Sequence, residues 1–212
     1  MNPILDEISE LLQKGRAPLV KEAVQKAVDE GLGAEEILNG GLMAGMGIIG
    51  TKFKNNEVYV PEVLVAARAM NAGITVLQPL LAKGDVKSHG TVVLGTVKGD
   101  MHDIGKNLVK IMMEGKGLKV IDMGVDVAPE QFVKQAKESG AQIVACSSLL
   151  TTTMTEMKNV VDAVKAESLN VKVMVGGAPV NDAYCQSIGA DKYAPDAASA
   201  AEVAIELCAA SM

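Results

Sequence analysis

The chain has only two histidines, and one of them, His102, sits in a run whose residue types could do chemistry. That run is GTVKGDMHDIGKN, residues 95–107, with Asp100, His102, Asp103 and Gly105 in close succession. A carboxylate two residues before an imidazole can hold one ring nitrogen and leave the other free as a metal ligand. A single imidazole cannot keep a bare metal ion. A phosphate-cradling loop is a competing chemistry, but five residues separate Gly99 from Gly105 where such a loop has four, and Asn107 stands where it needs Ser or Thr. Two plain structural readings stay open as well. His102 could be a satisfied structural side chain, and Asp100 and Asp103 could be helix caps that accept backbone N–H bonds, a role that suits Asp103 in particular.

The flanking elements place this run. Thr91 to Val97 (TVVLGTV) is short, β-branched and bounded by glycines, which predicts a buried strand, and from Ile104 onward apolar residues recur at helical spacing. His102 therefore falls on a strand-to-helix turn, at the end of a parallel sheet where ligands bind. The alternation continues through KVIDMGV, PEQFVKQAKESG, QIVACSSLL, a helix over residues 154–166, VKVMVGG, a helix over 182–187, DKYAP and a last helix from Ala197. Five strand–helix units imply a parallel sheet covered on both faces, flavodoxin-like or Rossmann-like, with strand order 2-1-3-4-5. Because that order reverses between the first and third strands, the loop with Asp100 and His102 should meet the loop running from Ser147 to Thr153.

Upstream, residues 1–82 read as helices only, a four-helix bundle serving as a cap domain. Ile4, Ile8, Leu11 and Leu12 mark one apolar face, and Val20, Val24, Ala27 and Val28 mark another after Pro18 at a helix start. A helix from Ala34 toward Phe53 and one from Pro61 follow. Glycines at 40, 41, 45, 47 and 50 are costly inside a helix, so they serve either close packing or room for a flat ligand beside Met43 and Met46. The polar, Gly-punctuated stretch 83–90 is the expected linker, with His89 solvated in it, and 91–212 the second domain.

Composition limits the function classes. A formal charge of -6, no basic run and 2% aromatics argue against a nucleic-acid surface. With 49% hydrophobic and 22% charged residues, no uninterrupted apolar span and acids in the first turns of the chain, a cytoplasmic protein without a membrane partner is expected. Three cysteines without metal-ligand spacing read as buried thiols, and the twelve methionines as core filler.

DMHDIGK resembles the DxHxxG motif of cobalamin-binding domains. Ser147-Ser148-Leu149 is similar to that family's SxL element and Gly176-Gly177 to its paired glycines, in the same order. The first eighty or so residues resemble the helical module preceding the cobalamin domain in methionine synthase and in small corrinoid proteins, so the likeness spans essentially the whole chain. It implies methylcobalamin or a related corrinoid, with His102 as the axial cobalt ligand in place of the cofactor's own base and Asp100 tuning it. Asp103 and Ile104 would touch the cofactor, and Gly105, Gly176 and Gly177 would line a slot for its displaced nucleotide tail. Ser147 would bond the buried base and Leu149 contact it, with Thr151 and Thr153 adding hydroxyls. Thr153 falls where methionine synthase has the serine that completes the His–Asp pair; helix capping is the plain alternative for the threonines. Tyr59 and Val60, with Met43 and Met46, would cap the upper corrin face, Tyr59 being phenolic where methionine synthase has Phe.

The resemblance also implies a function. Corrinoid proteins of the methylamine, methanol and methoxyarene systems carry a methyl group from a substrate-specific methyltransferase to a second, methylcorrinoid:acceptor methyltransferase, which passes it to coenzyme M or tetrahydrofolate. A reductive activation protein is a further implied partner. The chain has no room for a substrate-activating barrel, which usually takes about 250 residues, so it should carry rather than catalyse alone. The bundle is expected to swing aside on the linker when a partner enzyme needs the upper face. Two rivals share the motif: the cobalamin-binding subunit of a mutase, and a cobalamin-dependent sensor.

Overall fold

The computed structural model describes residues 2–81 and 88–210. The chain divides into two compact units, Met1–Lys87 and Ser88–Met212. Residues 83–87 of the expected linker lie outside the described residues. Ser88 to Gly90 belong with the second unit, where the His89 N–H donates to the Gly117 carbonyl at 3.1 Å and the Gly90 carbonyl accepts from Lys119 N at 2.9 Å. His89 is exposed.

The first unit is helical. Helix α1 (Pro3–Gln13) opens on Asn2, whose side chain accepts the Ile4 N–H, and α2 (Ala17–Asp29) has Pro18 in its first turn, where a missing N–H costs nothing. The helix expected from Ala34 toward Phe53 is not one regular helix. It runs as α3 (Ala34–Ile37), a π-helical turn (Leu38–Met43) and α4 (Ala44–Lys54). A π turn takes an extra residue and re-aims the side chains after it, and here it contains Gly40 and Gly41. The glycines resolve as close packing at three positions: a Cβ on Gly40 would lie 2.9 Å from Leu5 Cδ1, one on Gly41 3.0 Å from Ile8 Cγ2, and one on Gly45 3.1 Å from the Ser9 backbone, all on α1. At Gly47 a Cβ would meet nothing within 4 Å.

Helix α5 (Val60–Leu81) starts where the Tyr59 N–H donates to Glu62 Oε2 at 3.1 Å, one half of a capping box. By length and composition α5 could cross a bilayer. Instead, its buried stripe of Val63, Ala66, Ala69, Met70, Gly73 and Leu77 recurs at helical spacing, and α5 packs against α2, α4 and α1.

In the second unit β1 (Thr91–Thr96), α6 (Ile104–Gly115), β2 (Lys119–Asp122), α7 (Pro129–Ser139), β3 (Ile143–Ser147), α8 (Glu156–Ala166), β4 (Lys172–Gly176), α9 (Asp182–Ile188), β5 (Lys192–Ala194) and α10 (Ala197–Ala210) alternate. The five strands are parallel in the order β2-β1-β3-β4-β5, as the alternation predicts. On one face Val93, Val144, Cys146, Val173 and Val175 meet Phe132 of α7 and Met157, Val160 and Val164 of α8. The alternate residues Val92, Leu94, Ile143, Ala145 and Met174 are buried on the other face, where α6 and α10 pack. All three cysteines are free and buried, and burial raises the Cys146 thiol to about 12, so it is inert at neutral pH.

Candidate functional site

The register sets the site. Thr96 of β1 pairs with Ser147 of β3 at the carboxyl ends of neighbouring strands, and β1 sends its crossover to β2 on the other side. This is the switch point of the sheet, where two loops diverge and leave a crevice. One loop carries residues 97–103 and the other 148–155.

Asp100 is fully buried between them, and every carboxylate lone pair it offers is used. Its Oδ1 accepts the His102 backbone N–H at 3.0 Å and faces His102 Nδ1 at 2.7 Å. Its Oδ2 accepts the Leu149 N–H at 2.8 Å and the Thr153 hydroxyl at 2.8 Å, with Ser148 Oγ at 3.2 Å. Ser148 Oγ also lies 2.8 Å from Thr153 Oγ1. Each hydroxyl has one proton, and the shortest set of bonds has Ser148 donating to Thr153 and Thr153 to Asp100. The Thr96 hydroxyl donates to the His102 carbonyl at 2.8 Å and fixes the turn from below.

Burial pushes the Asp100 carboxyl up, but the bonds from Leu149 N–H, from His102 N–H and ring, and from Thr153 outweigh it and hold the group well below its ordinary 3.8. An ionised carboxylate only accepts. His102 Nδ1 must therefore carry a proton, and the neutral ring has its lone pair on Nε2. The His102 side chain is 51% exposed while its carboxylate partner is wholly buried, so a fixed donor faces outward. Among the described residues no three His, Cys, Asp or Glu side chains converge. The donor set is one imidazole, which suits a metal that arrives with its other ligands.

What surrounds that imidazole fits a large ligand with apolar edges. Residues 101–105 are all exposed; Met101 is 69% and Ile104 75% exposed, and across the crevice Leu149 and Leu150 are 46% and 41% exposed. Apolar side chains gathered this way mark a binding surface. At Gly105 an added Cβ would meet nothing within 4 Å, so glycine there answers no need of the protein's own packing. Ser147 is half-buried, and its hydroxyl forms no hydrogen bond among the described residues. Thr151 is exposed on the same loop.

Several sequence-based expectations change here. Asp103 does precede α6, but its side chain accepts no backbone N–H; Oδ2 takes the Asn107 amide at 3.1 Å instead. Thr153 caps no helix, since α8 begins after Thr155 and the Thr153 hydroxyl is spent on Asp100. Leu149 contributes its backbone N–H as well as its side chain. A Cβ on Gly177 would sit 1.9 Å from the Ser148 carbonyl oxygen and one on Gly176 3.1 Å from the Ala194 carbonyl, so strand-end packing is a further demand for glycine at both positions. In the helical unit, Tyr59 is 67% exposed, Val60 and Met43 are half-buried, and Met46 is 2% exposed.

Two groups carried no usable signal in the sequence. Ser148 reaches Asp100 from 48 positions away, and the SxL pattern treats its position as free. Lys106, four residues after His102, is 2% exposed and paired with Asp122 at the end of β2, with Asn107 Oδ1 at 2.8 Å. Burial raises the Asp122 carboxyl, but Lys106 and the Gly124 N–H more than compensate and lower it. An ion pair between buried Lys106 and solvent-accessible Asp122 ties the start of α6 to the sheet.

Comparison with known proteins agrees with this geometry. Two family models described as B12 binding domains match, one over residues 90–204 and one over residues 4–78. The chain is 42% identical over 206 residues to a corrinoid protein of Desulfitobacterium hafniense, covering 95% of each. It is 42% identical over 209 residues to dimethylamine corrinoid protein 1 of Methanosarcina acetivorans, covering 97% of this chain and 98% of that one. Among solved structures, the methanol:cobalamin methyltransferase complex of Methanosarcina barkeri matches with TM-score 0.89 and 28% identity over 99% of this chain and 81% of that one. A cobalamin-binding protein of Desulfitobacterium hafniense matches with TM-score 0.80 and 32% identity over 96% and 98%. A lone outward-facing imidazole on a buried carboxylate, in a fold whose relatives align end to end, identifies the cofactor as a cobalamin-type corrinoid, and the chain belongs to the family of corrinoid proteins built from B12 binding domains.

Proposed function

We propose that this chain is the methyl carrier of a corrinoid-dependent methyltransferase system in one-carbon metabolism, of the methanogenic or acetogenic kind, working in the cytoplasm. It takes a methyl group from a substrate-specific methyltransferase and delivers it to a methylcorrinoid:acceptor methyltransferase serving coenzyme M or tetrahydrofolate, with a reductive activation protein as a further partner. The bound corrinoid supplies a cobalt centre that can accept and release a methyl group. The observation that carries the reading is the His102–Asp100 pair, with Nδ1 held at 2.7 Å and Nε2 turned outward.

The protein's own residues have separable tasks. His102 would offer Nε2 to the cobalt of a bound corrinoid, and Asp100 fixes the ring and raises its basicity through Nδ1–H. Were the ring to carry a second proton, Asp100 would be the counter-charge already in place. Thr153 and Leu149 N–H keep that carboxylate ionised. Met101, Ile104, Leu149 and Leu150 supply apolar contact. Asp103, Gly105, Ser147, Thr151, Gly176 and Gly177 would line the path of the nucleotide tail, and Tyr59, Val60 and Met43 would contact the upper face, whereas Met46 is buried within the helical unit. We read the chain as a cap domain (1–82), a linker (83–90) and a cofactor domain (91–212).

The names of the relatives favour methyl transfer over a mutase or a sensor. Dimethylamine and trimethylamine corrinoid proteins are 41–43% identical to this chain. The test is transfer of an isotopically labelled methyl group from methylamines, methanol, betaines or methoxyarenes, each with its own methyltransferase, onto the corrinoid-loaded protein. Label should arrive from one donor class and be chased to the acceptor by the second enzyme. No label from any donor, with turnover only alongside an adenosyl-dependent mutase partner, would refute the carrier role.

A further inference from the structure

Three non-glycine residues among those described have positive φ: Asn56 (58°), Asp126 (55°) and Ser168 (50°). Asn56 and Ser168 each follow the end of a helix, α4 and α8, where a left-handed residue is an ordinary way to stop. Asp126 ends no helix. It stands between β2 and α7, in a conformation that costs any residue with a Cβ, and such costs persist where the surroundings need the geometry.

The left-handed turn lets both ends of Asp126 meet the loop that carries the ligand. Asp126 Oδ1 accepts the Gly99 N–H at 2.7 Å, and the Asp126 N–H donates to the Asp100 carbonyl at 3.0 Å. One residue thus grips two successive residues of the β1–α6 loop, one by its N–H and the other by its C=O. Gly99 itself has φ of 80° and no side chain to stiffen it. The neighbouring ties, Thr96 N to the Gly124 carbonyl and Val127 N to the Thr96 carbonyl, both at 3.0 Å, are backbone only and stop short of Asp100. Among the described residues, the Gly99 bond is the one hydrogen bond from a side chain of the β2–α7 loop to this turn.

We propose that Asp126 is a positioning residue for His102. Its carboxylate sets the Gly99–Asp100 turn, and that turn sets where the Asp100 carboxylate meets Nδ1. The step to cobalt rests on the reading of His102 as axial ligand; the step from Asp126 to the His102 ring does not.

Two variants separate the side chain from the backbone. Asp126→Asn keeps an oxygen acceptor on a residue that tolerates the left-handed region, while Asp126→Gly keeps the conformation and removes the acceptor. In the cofactor-free protein, nitrogen-15 NMR reads the Gly99 amide exchange rate and which His102 ring nitrogen carries the proton. In the protein loaded with cob(II)alamin, electron paramagnetic resonance reads the share of cobalt bearing a histidine nitrogen. Asp126→Asn should stay within about twofold of wild type on all three. In Asp126→Gly, Gly99 exchange should rise roughly tenfold, the equivalent of one charge-assisted hydrogen bond. The same variant should populate the tautomer protonated on Nε2 and lose histidine-ligated cobalt. A lowered unfolding midpoint in Asp126→Gly with the ring tautomer unchanged would mean a purely structural role and would overturn the proposal. Absence of a histidine nitrogen signal in wild type would instead sink the axial-ligand reading, and the ring tautomer of the cofactor-free variants would still decide the role of Asp126.

Discussion

Replacing Asp100 by Asn changes one atom of a fully buried side chain, and the structure shows why it should not be mild. The amide has one acceptor oxygen where the carboxylate has two. With that oxygen toward His102, the amide nitrogen faces the Leu149 N–H across what was a 2.8 Å bond, donor against donor. Thr153 can turn its hydroxyl to accept, but Leu149 N–H cannot. An orphaned buried N–H costs about 1–3 kcal/mol, and exchanging a charged acceptor for a neutral one at His102 adds about 1 kcal/mol, so roughly 3 kcal/mol in all. For a unit of this size that is about 10 °C of unfolding midpoint. With the amide flipped, the donor faces Nδ1, the ring must protonate on Nε2, and the lone pair offered to the metal is lost.

The assay is thermal unfolding of the cofactor-free protein followed by near-ultraviolet and far-ultraviolet dichroism, at neutral and at acid pH. The folded-state pKa of Asp100 is depressed, so its contribution is present above the ordinary 3.8 and is lost as pH falls through the folded value. The gap between wild type and Asp100→Asn should therefore narrow in strong acid. Asp103→Asn is the control: Asp103 is exposed and among the described residues its carboxylate bonds only the Asn107 side chain, so its effect should stay within about 0.5 kcal/mol. A midpoint for Asp100→Asn within about 2 °C of wild type at neutral pH would refute this accounting of the five contacts to the carboxylate.

Other substitutions test other parts of the site. Gly177→Ala forces a Cβ to 1.9 Å from the Ser148 carbonyl at φ of 130°, and thermal unfolding should show a loss of roughly 2–4 kcal/mol. Gly105→Ala should leave stability unchanged or raise it by up to about 1 kcal/mol, yet weaken corrinoid binding in a spectroscopic titration, because only the cofactor has use for that space. Asp122→Ala leaves the Lys106 ammonium, 2% exposed, with Asn107 Oδ1 in place of a carboxylate, and should cost about 1–3 kcal/mol in chemical denaturation. Adding Lys106→Met should recover most of that loss.

The outline of both halves could be read from residue patterns because those patterns are local. TVVLGTV has the β-branched run of a buried strand, Pro18 and Pro61 mark helix starts, and strand–helix alternation admits few topologies. The Asp100–His102 pair was visible for the same reason, being two residues apart. What stayed hidden depends on the meeting of distant segments. Resemblance places Thr153 beside the His–Asp pair, but Ser148 reaches Asp100 only once β1 and β3 are neighbours, and Lys106 finds Asp122 only once β2 is in place. Gly177 reads as a slot residue by resemblance; its approach to the Ser148 carbonyl, a second demand for glycine, depends on the meeting of β3 and β4. Asp103 misled because a helix-start carboxylate invites a capping assignment, while Asn107 one turn later competes for it. For the Gly40–Gly41 pair the sequence leaves close packing and room for a flat ligand both open; Leu5 and Ile8 supply the packing, and the π turn around the pair has no equally local signature.

The central claim is that His102 presents Nε2 to the cobalt of a bound corrinoid. Its most direct test is electron paramagnetic resonance of the protein loaded with cob(II)alamin, prepared once with nitrogen-14 and once with nitrogen-15 histidine, alongside His102→Ala. The His102 side chain is half-exposed and lies on a loop, so the alanine variant should fold normally. The account predicts a superhyperfine triplet that becomes a doublet with nitrogen-15 histidine and is absent from the variant. A splitting that does not respond to the histidine label, or that persists in His102→Ala, would contradict it.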